Sequence, residues 1–374
     1  MEKAKRRTWV VAAFLLAVAL LVAACGQKPS AGSAASNGQA VSGANGQGAG
    51  GTTASLKGRK IALIMRINLG TFSAQYIDGV KEQIQKFGGE VKVFDSQDDL
   101  SKMSSNLNTA VNQHFDGILL DHGSGAALEA GIKKALDAKI PVVAFDTDIS
   151  LPGVTTIEQS DQKMAELTLD QMAKDIGNKG NIVKVWVAGF PPMEKRQISY
   201  AAFLKNHPDI KEVAAFGNAN NPALDTQSQM EAVLKKYPNK GDITAVWAAW
   251  DEFAKGASRA IQQAGRSEIK VYGIDMSDED LQMIQDPNSP WVASAAVDPK
   301  DIGRVQVRYL YQKLHGDKTD DNVVLDAVFI SRDKLPKDKK VTTDQLSQYI
   351  PGWGSSKQGY ADWMKDLEAA AAAK

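Results

Sequence analysis

The chain has 374 residues, 43% of them hydrophobic, and its 44 lysines and arginines match 44 aspartates and glutamates for a net charge of zero. That length holds a leader and two ordinary domains. The even charge argues against a nucleic-acid surface, which relies on Lys and Arg neutralising phosphates. The single cysteine, Cys25, excludes an intrachain disulfide and a thiolate metal cluster.

Lys3, Lys5, Arg6 and Arg7 form a basic head, and an unbroken apolar stretch follows from Trp9 to Ala24. Basic, apolar, then small is the pattern of a secretory leader, and the stretch is shorter than the ~20 residues of a membrane span. Val22-Ala23-Ala24-Cys25 resembles the bacterial lipoprotein signal, in which the cysteine is lipidated and becomes the mature amino terminus. Residues 1–24 are therefore expected to be removed and Cys25 to anchor the protein to a membrane. Residues 25–56 are mostly Gly, Ala, Ser, Asn and Gln, which cannot bury a core and predict a flexible tether.

From residue 60 the pattern alternates. A strand is expected at 60–65, then a helix with Phe72, Ile77, Val80, Ile84 and Phe87 near helical spacing, stopped by Gly88-Gly89. A strand at 90–94 follows, then a helix capped by Asp98 or Asp99 with Met103, Leu107 and Val111 on one face. A strand at 117–120 ends at Asp121-His122, and a helix carries Leu128, Ile132 and Leu136. Next comes the stretch from Ile140 through Val142-Val143-Ala144-Phe145, which ends in Asp146-Thr147-Asp148. It reads as a buried strand that delivers two carboxylates to its carboxyl end.

The alternation resumes at 154–157, with strands expected at 181–187, 213–216, 243–248, 270–274 and 291–297 and helices between them. Ser160 or Asp161 caps one helix, Asp251 another, and Asp298-Pro299 opens a third with proline in its first turn. Residues 322–329 read as a last strand, and the alanine-rich tail has no assigned role. Too many βα units exist for one small sheet. The fold class expected is α/β, with two doubly wound parallel-sheet lobes, each with its own crevice edge.

Several segments, in this order and spacing, resemble type 1 periplasmic binding proteins of the ribose-binding kind, over about residues 57–335. They are Phe72 through Ile77-Asp78-Gly79, Val93 to Gln97, Pro141 to Asp146, Ala248 to Glu252 with Gly256-Ala257, Val271 to Asp275, and Asp298 to Gly303. The resemblance implies an extracytoplasmic sugar receptor of an ABC importer, two lobes joined by a three-segment hinge, and closure on the ligand. It places the crossings near 159–161, 297–298 and 325–327. It divides the body into 57–160 plus 298–326 and 161–297 plus 327–345, with a C-terminal extension at 346–374. It implies a sugar or polyol ligand, a permease partner, a monomer, no cofactor and no catalysis. Thr147, Trp250 and Val297 depart from the arginine, asparagine and glutamine of ribose-type members. The Asp-Thr-Asp ending is more like the rhamnose and furanosyl-autoinducer receptors.

Sugars are held by carboxylates, amides and guanidinium groups on the hydroxyls and by aromatic rings on the C–H faces. Asp146 and Asp148 are the first acceptors, and Trp250 ends a strand where its ring or indole N–H could meet a ligand. The resemblance adds Asp275 as the second-lobe acceptor, Phe72 as an aromatic wall, and either Glu194 or Arg196 as a contact at the start of the helix expected around 196–204. Arg66 and Asn68 lie in the first βα loop and Asn221 before a helix, which makes each a candidate contact. Asp121 and His122 read as a hydrogen-bonded structural pair. His114, His207 and His315 are too scattered for a metal site.

Gly123-Ser124-Gly125 lacks the lysine of a phosphate loop, and Asp275 to Asp280 lacks calcium-loop spacing. Two other functions use similar parts. An aspartate-nucleophile phosphatase carries an Asp-x-Asp after its first strand, whereas here it follows about the fourth. A repressor of the lactose class carries a helix-turn-helix where this chain has a leader and tether. A receptor that signals to a membrane sensor shares every feature of the importer reading. A cationic amine would also suit an acidic site.

Overall fold

A computed structural model describes residues 53–373; the expected leader, the Cys25 anchor and the tether as far as residue 52 lie outside the described residues. In chain order the elements are β1 (Lys60–Met65), α1 (Gly70–Lys86), β2 (Glu90–Asp95), α2 (Leu100–Asn112), β3 (Gly117–Asp121), α3 (Gly125–Asp137), β4 (Val142–Phe145) and β5 (Thr155–Gln159). They continue as α4 (Asp161–Asp175), β6 (Gly180–Val185), α5 (Pro191–Asn206), β7 (Ile210–Phe216), α6 (Pro222–Lys236), β8 (Ala245–Ala248), α7 (Asp251–Gln263) and β9 (Lys270–Ile274). The last are α8 (Asp278–Gln285), β10 (Trp291–Ala296), α9 (Pro299–His315), β11 (Asn322–Leu325), β12 (Val328–Ser331) and α10 (Trp363–Ala372).

Two six-stranded sheets result, in the orders β11-β5-β4-β3-β1-β2 and β12-β10-β9-β8-β6-β7. The first is parallel throughout; the second is parallel except where β12 runs antiparallel to β10. The central strands β3, β4 and β8 are buried at every residue, which is why they read as apolar runs rather than alternations. Helices cover both faces. The pair α1 and α9 pack closely because Gly79 and Gly303 lack side chains: a Cβ on Gly79 would lie 2.2 Å from the Lys300 carbonyl oxygen.

The chain passes from one sheet to the other three times: between β5 and α4, between β10 and α9, and between β11 and β12. The single strand expected at 322–329 is therefore two strands, one in each sheet. Asp251, expected as a cap, is instead the first residue of α7, and Trp250 is the cap position. The helix expected from about 196 begins at Pro191, because Pro191-Pro192 fits a first turn. Helix α8 was not expected; Ser277 and Asp280 form a capping box at its start.

The segment after β12 joins both cores. Leu346, Ile350 and Trp353 pack into the cluster of the second sheet, and Met364 and Leu367 into a cluster of the first. Between them Arg308 donates to the Ser356 carbonyl at 2.8 Å, and the Trp363 indole donates to Asp317 at 2.9 Å. None of the helices among the described residues is long and apolar enough to cross a membrane.

Candidate functional site

The carboxyl ends of strands in both sheets meet at a cleft whose empty volume, counting the part open to solvent, is about 630 Å³. This is the crevice edge where open α/β sheets hold ligands. The first sheet contributes residues that follow β1, β3 and β5 and the first turns of α1. The second contributes the loop after β6, the start of α5, and residues that follow β8 and β9.

Two hydrogen-bonded clusters, one from each sheet, meet at the cavity. His122 Nδ1 is 2.7 Å from Asp121 Oδ1, and its Nε2 is 3.8 Å from Asp146 Oδ2. Asp146 accepts from the backbone N–H of Gln159 at 3.2 Å and from its Nε2 at 3.1 Å. In the other sheet, Arg196 donates from Nε to Asp161 at 2.8 Å and from Nη1 to the Ala249 carbonyl at 2.7 Å. It also forks onto Asp275 at 3.2 and 3.4 Å. Gln159 Oε1 and Asp161 Oδ2 are buried without a hydrogen-bond partner. His122, Asp146 and Asp275 each follow a strand and each hold a left-handed backbone, with φ of 54°, 47° and 74°. Such strain in non-glycine residues gathers at functional sites.

Together the two clusters hold four carboxylates against one guanidinium and one imidazole, and the protonation equilibria follow. Burial opposes a charge on His122, but Asp121 and Asp146 outweigh it and push its pKa up to about 9. Burial raises Asp161 to about 7, with Arg196 opposing and Asp146 and Asp275 adding to the rise. Burial likewise raises Asp146 and Asp275, against the pull of His122 and Arg196. Arg196 stays charged: burial works against it, and Asp275 and Asp161 more than compensate.

Much of the remaining wall is apolar. Met65 and Ile67 flank the end of β1, Phe72 comes from the first turn of α1, and Trp250 stands edge-on to Phe253 at 5.2 Å. Along α5 the residues at three-residue spacing are Phe190, Met193 and Arg196, so one helix face passes from apolar to charged.

Of the candidates read from sequence, Phe72, Arg196, Trp250 and Asp275 line the cavity together. Arg196 rather than Glu194 faces it; Glu194 accepts from the N–H of Gly189 at 2.9 Å. Asp146 is buried behind His122 and Gln159 and holds them rather than forming the wall. The structure does not bring Asp148, Asn68, Asn221 or Arg66 into the cavity wall. Asp148 is exposed and accepts from the N–H of Gly125, because the turn after Asp146 carries it toward the start of α3. Asn68 is exposed in the loop after β1, and Asn221 is an exposed left-handed residue at the start of α6. Arg66 bonds to Asp98 and to the chain of the opposite sheet. Asp121, His122 and Gln159 line the cavity and were not among the candidates; their sequence signal is the end of a strand. Among the described residues no three His, Cys, Asp or Glu side chains are grouped to hold a metal ion.

Comparison with known proteins agrees with this fold. The family described as periplasmic binding protein domain matches residues 61–318. The chain is 38% identical to a sugar ABC transporter protein of Yersinia enterocolitica whose structure is solved, with a TM-score of 0.82, covering 85% of this chain and 97% of that one. It is 35% identical to the solute-binding protein of a 5-methylthioribose transporter from Thermotoga lettingae, solved with 5-methylthioribose. That match has a TM-score of 0.79 and covers 83% of this chain and 97% of that one. It is 28% identical over 221 residues to a D-apiose import binding protein of Actinobacillus succinogenes, covering 58% of this chain and 70% of that protein.

Proposed function

This chain belongs to the family of periplasmic binding protein domains, and from that premise we propose that it captures a small sugar bearing an apolar substituent for an ABC importer. The observation that carries the reading is the mixed lining of the cavity. Asp121, His122 and Gln159 from one sheet and Arg196 and Asp275 from the other face it, while Met65, Ile67, Phe190 and Met193 make up much of the rest. A plain pentose or polyol is hydroxylated all round and leaves such a wall unmatched. A ribose whose 5-hydroxyl is replaced by a thioether matches both parts, and 5-methylthioribose is what the Thermotoga relative holds.

In this reading Asp275, Asp121, His122 and Gln159 bond the hydroxyls, and Phe72 and Trp250 cover the ring. Hydrogen bonds to charged groups contribute ~1.5–3 kcal/mol each. Sulfur against an aromatic ring adds ~0.3–1.5 kcal/mol. A few of these reach the ~8 kcal/mol of micromolar binding. A missing hydroxyl leaves a buried charge unpaired, so the polar half discriminates sharply.

The lobes are residues 57–160 with 298–326 and residues 161–297 with 327–345, a division supported by sheet membership. Ligand contacts available only when both lobes meet drive closure, and the closed form docks on a permease. Export by residues 1–24 and lipidation at Cys25 keep the receptor at the membrane surface, on the tether of residues 25–56. The chain itself catalyses nothing.

Thermal shift and calorimetry with 5-methylthioribose, ribose, apiose and ribitol test the reading. The thioether sugar is expected to raise the unfolding midpoint most. If no sugar or polyol moves the midpoint, the sugar reading falls; if ribose binds as tightly as the thioether, the apolar substituent falls.

A further inference from the structure

Arg66 stands between Met65 and Ile67, both of which line the cavity, yet it is not part of the wall. Its Nη1 donates to the Gly189 carbonyl at 2.9 Å, and its guanidinium carbon lies 3.8 Å from the centroid of the Phe190 ring. Gly189 and Phe190 belong to the opposite sheet, in the loop from β6 to α5, and Phe190 does line the cavity. Two carboxylates fix the arrangement. Asp98 accepts from Arg66 Nε at 2.7 Å, and Glu194 accepts from the Gly189 N–H at 2.9 Å. The Arg66 side chain is only 11% exposed, so its contact with the ring is largely shielded from water, where a cation and a ring attract most strongly.

We infer that Arg66 is the gate residue of the cleft, a positioning residue that pins Phe190 over the apolar part of the cavity. It thereby sets how long a ligand with an apolar substituent stays bound. Both of its cross-cleft contacts exist only when the two strand edges meet, so opening must break them before Phe190 can move. A device of this kind acts on escape rather than on encounter. Lysine cannot replace it, since one ammonium cannot bond Asp98, cap the Gly189 carbonyl and lie flat on a ring together. The choice of ligand rests on the function proposed above; the clamp itself does not.

Stopped-flow measurements following tryptophan fluorescence, with 5-methylthioribose and ribose as probes, test this on the wild type, Arg66→Met, Phe190→Ala and the double variant. Arg66→Met is expected to raise the dissociation rate of 5-methylthioribose by about tenfold, with association changed by less than about twofold. The effect on ribose is smaller, and in the Phe190→Ala background Arg66→Met adds little. Arg66→Lys does not restore the slow rate. An unchanged dissociation rate in Arg66→Met, or an equal effect with and without Phe190, overturns the proposal. Should Arg66→Met fail to fold, Asp98→Asn tests the same clamp by releasing Nε, with a several-fold faster escape expected. If the wild type binds neither sugar, the proposed function fails instead. Hydrogen exchange then decides the clamp: the amides of residues 187–190 and 193 exchange faster in Arg66→Met, and unchanged protection sinks it.

Discussion

His122 sits where three elements bring charge to one ring: Asp121 beside it on β3, Asp146 at the end of β4, and Arg196 from α5. Both His122 and Asp161 bind their protons more tightly in the folded chain than in the unfolded one, where ordinary values of 6.5 and 3.8 apply. The stability they contribute is full below those ordinary values and is lost as pH rises through about 7 for Asp161 and about 9 for His122. The midpoint of the ligand-free protein is expected to fall between pH 6 and pH 9.5, and His122→Gln should flatten the fall above pH 7. Equal slopes in the two proteins, measured by calorimetry, would remove the imidazole as its source. Trp250 was legible in the sequence because it follows an apolar run where a helix starts, and Asp275 and Phe72 because the family resemblance marks the ends of the apolar runs before them. Gln159 was not, because its role depends on Asp146, which holds both its backbone and its amide. Nor was the placement of Asp148, since a single residue, Thr147, separates a buried acid from an exposed one.

At the scale of elements, the start of α1 is set against α7 and α8 of the other sheet. Leu69 offers no side-chain cap, and carboxylates from the facing helices lie there instead, on the side favoured by the helix dipole. A Cβ on Gly70 would stand 2.2 Å from Glu252 Oε1, and Thr71 donates to Glu279 at 3.4 Å. Lys255, buried among Asp251, Glu252, Glu279 and Asp280, holds those two glutamates at 2.7 and 3.1 Å. A free glutamate would swing aside from a new methyl group; this one is pinned. Gly70→Ala is expected to weaken ligand binding about tenfold, or about 1.4 kcal/mol. Gly58→Ala is the control: its φ is also positive, at 71°, but nothing lies within 4 Å of the added carbon, so backbone strain alone would leave affinity unchanged. Calorimetry showing equal affinities in the two variants would dissociate α1 from closure. Most strands and helices were readable from periodicity, because central strands here are uninterrupted apolar runs. Helix α8 was hidden because its first turn is Asp278-Glu279-Asp280, which reads as a loop until Ser277 is seen to cap it.

The whole molecule is joined by more than its three sheet-to-sheet crossings. The final segment places Leu346, Ile350 and Trp353 in one core and Met364 and Leu367 in the other, beyond the residues that the family match covers. Burying a large apolar side chain contributes ~1.5–3 kcal/mol. A chain ended at Lys340 is therefore expected to lose several kcal/mol and to melt more than about 10 °C lower, a drop that scanning calorimetry reads directly. An unchanged midpoint would show the segment to be ornamental. The tail was unreadable from sequence because its apolar residues serve two separate cores and so keep no single period. The same arrangement governs the order of events at birth. Leu63 of the earliest strand shares a cluster with Leu367, so neither half can be sealed while the last thirty or so residues are still being made. Contacts so distant along the chain form late and slowly. The newborn protein waits, unfinished, until its far end arrives, and that interval is when proteases and aggregation have their best opportunity.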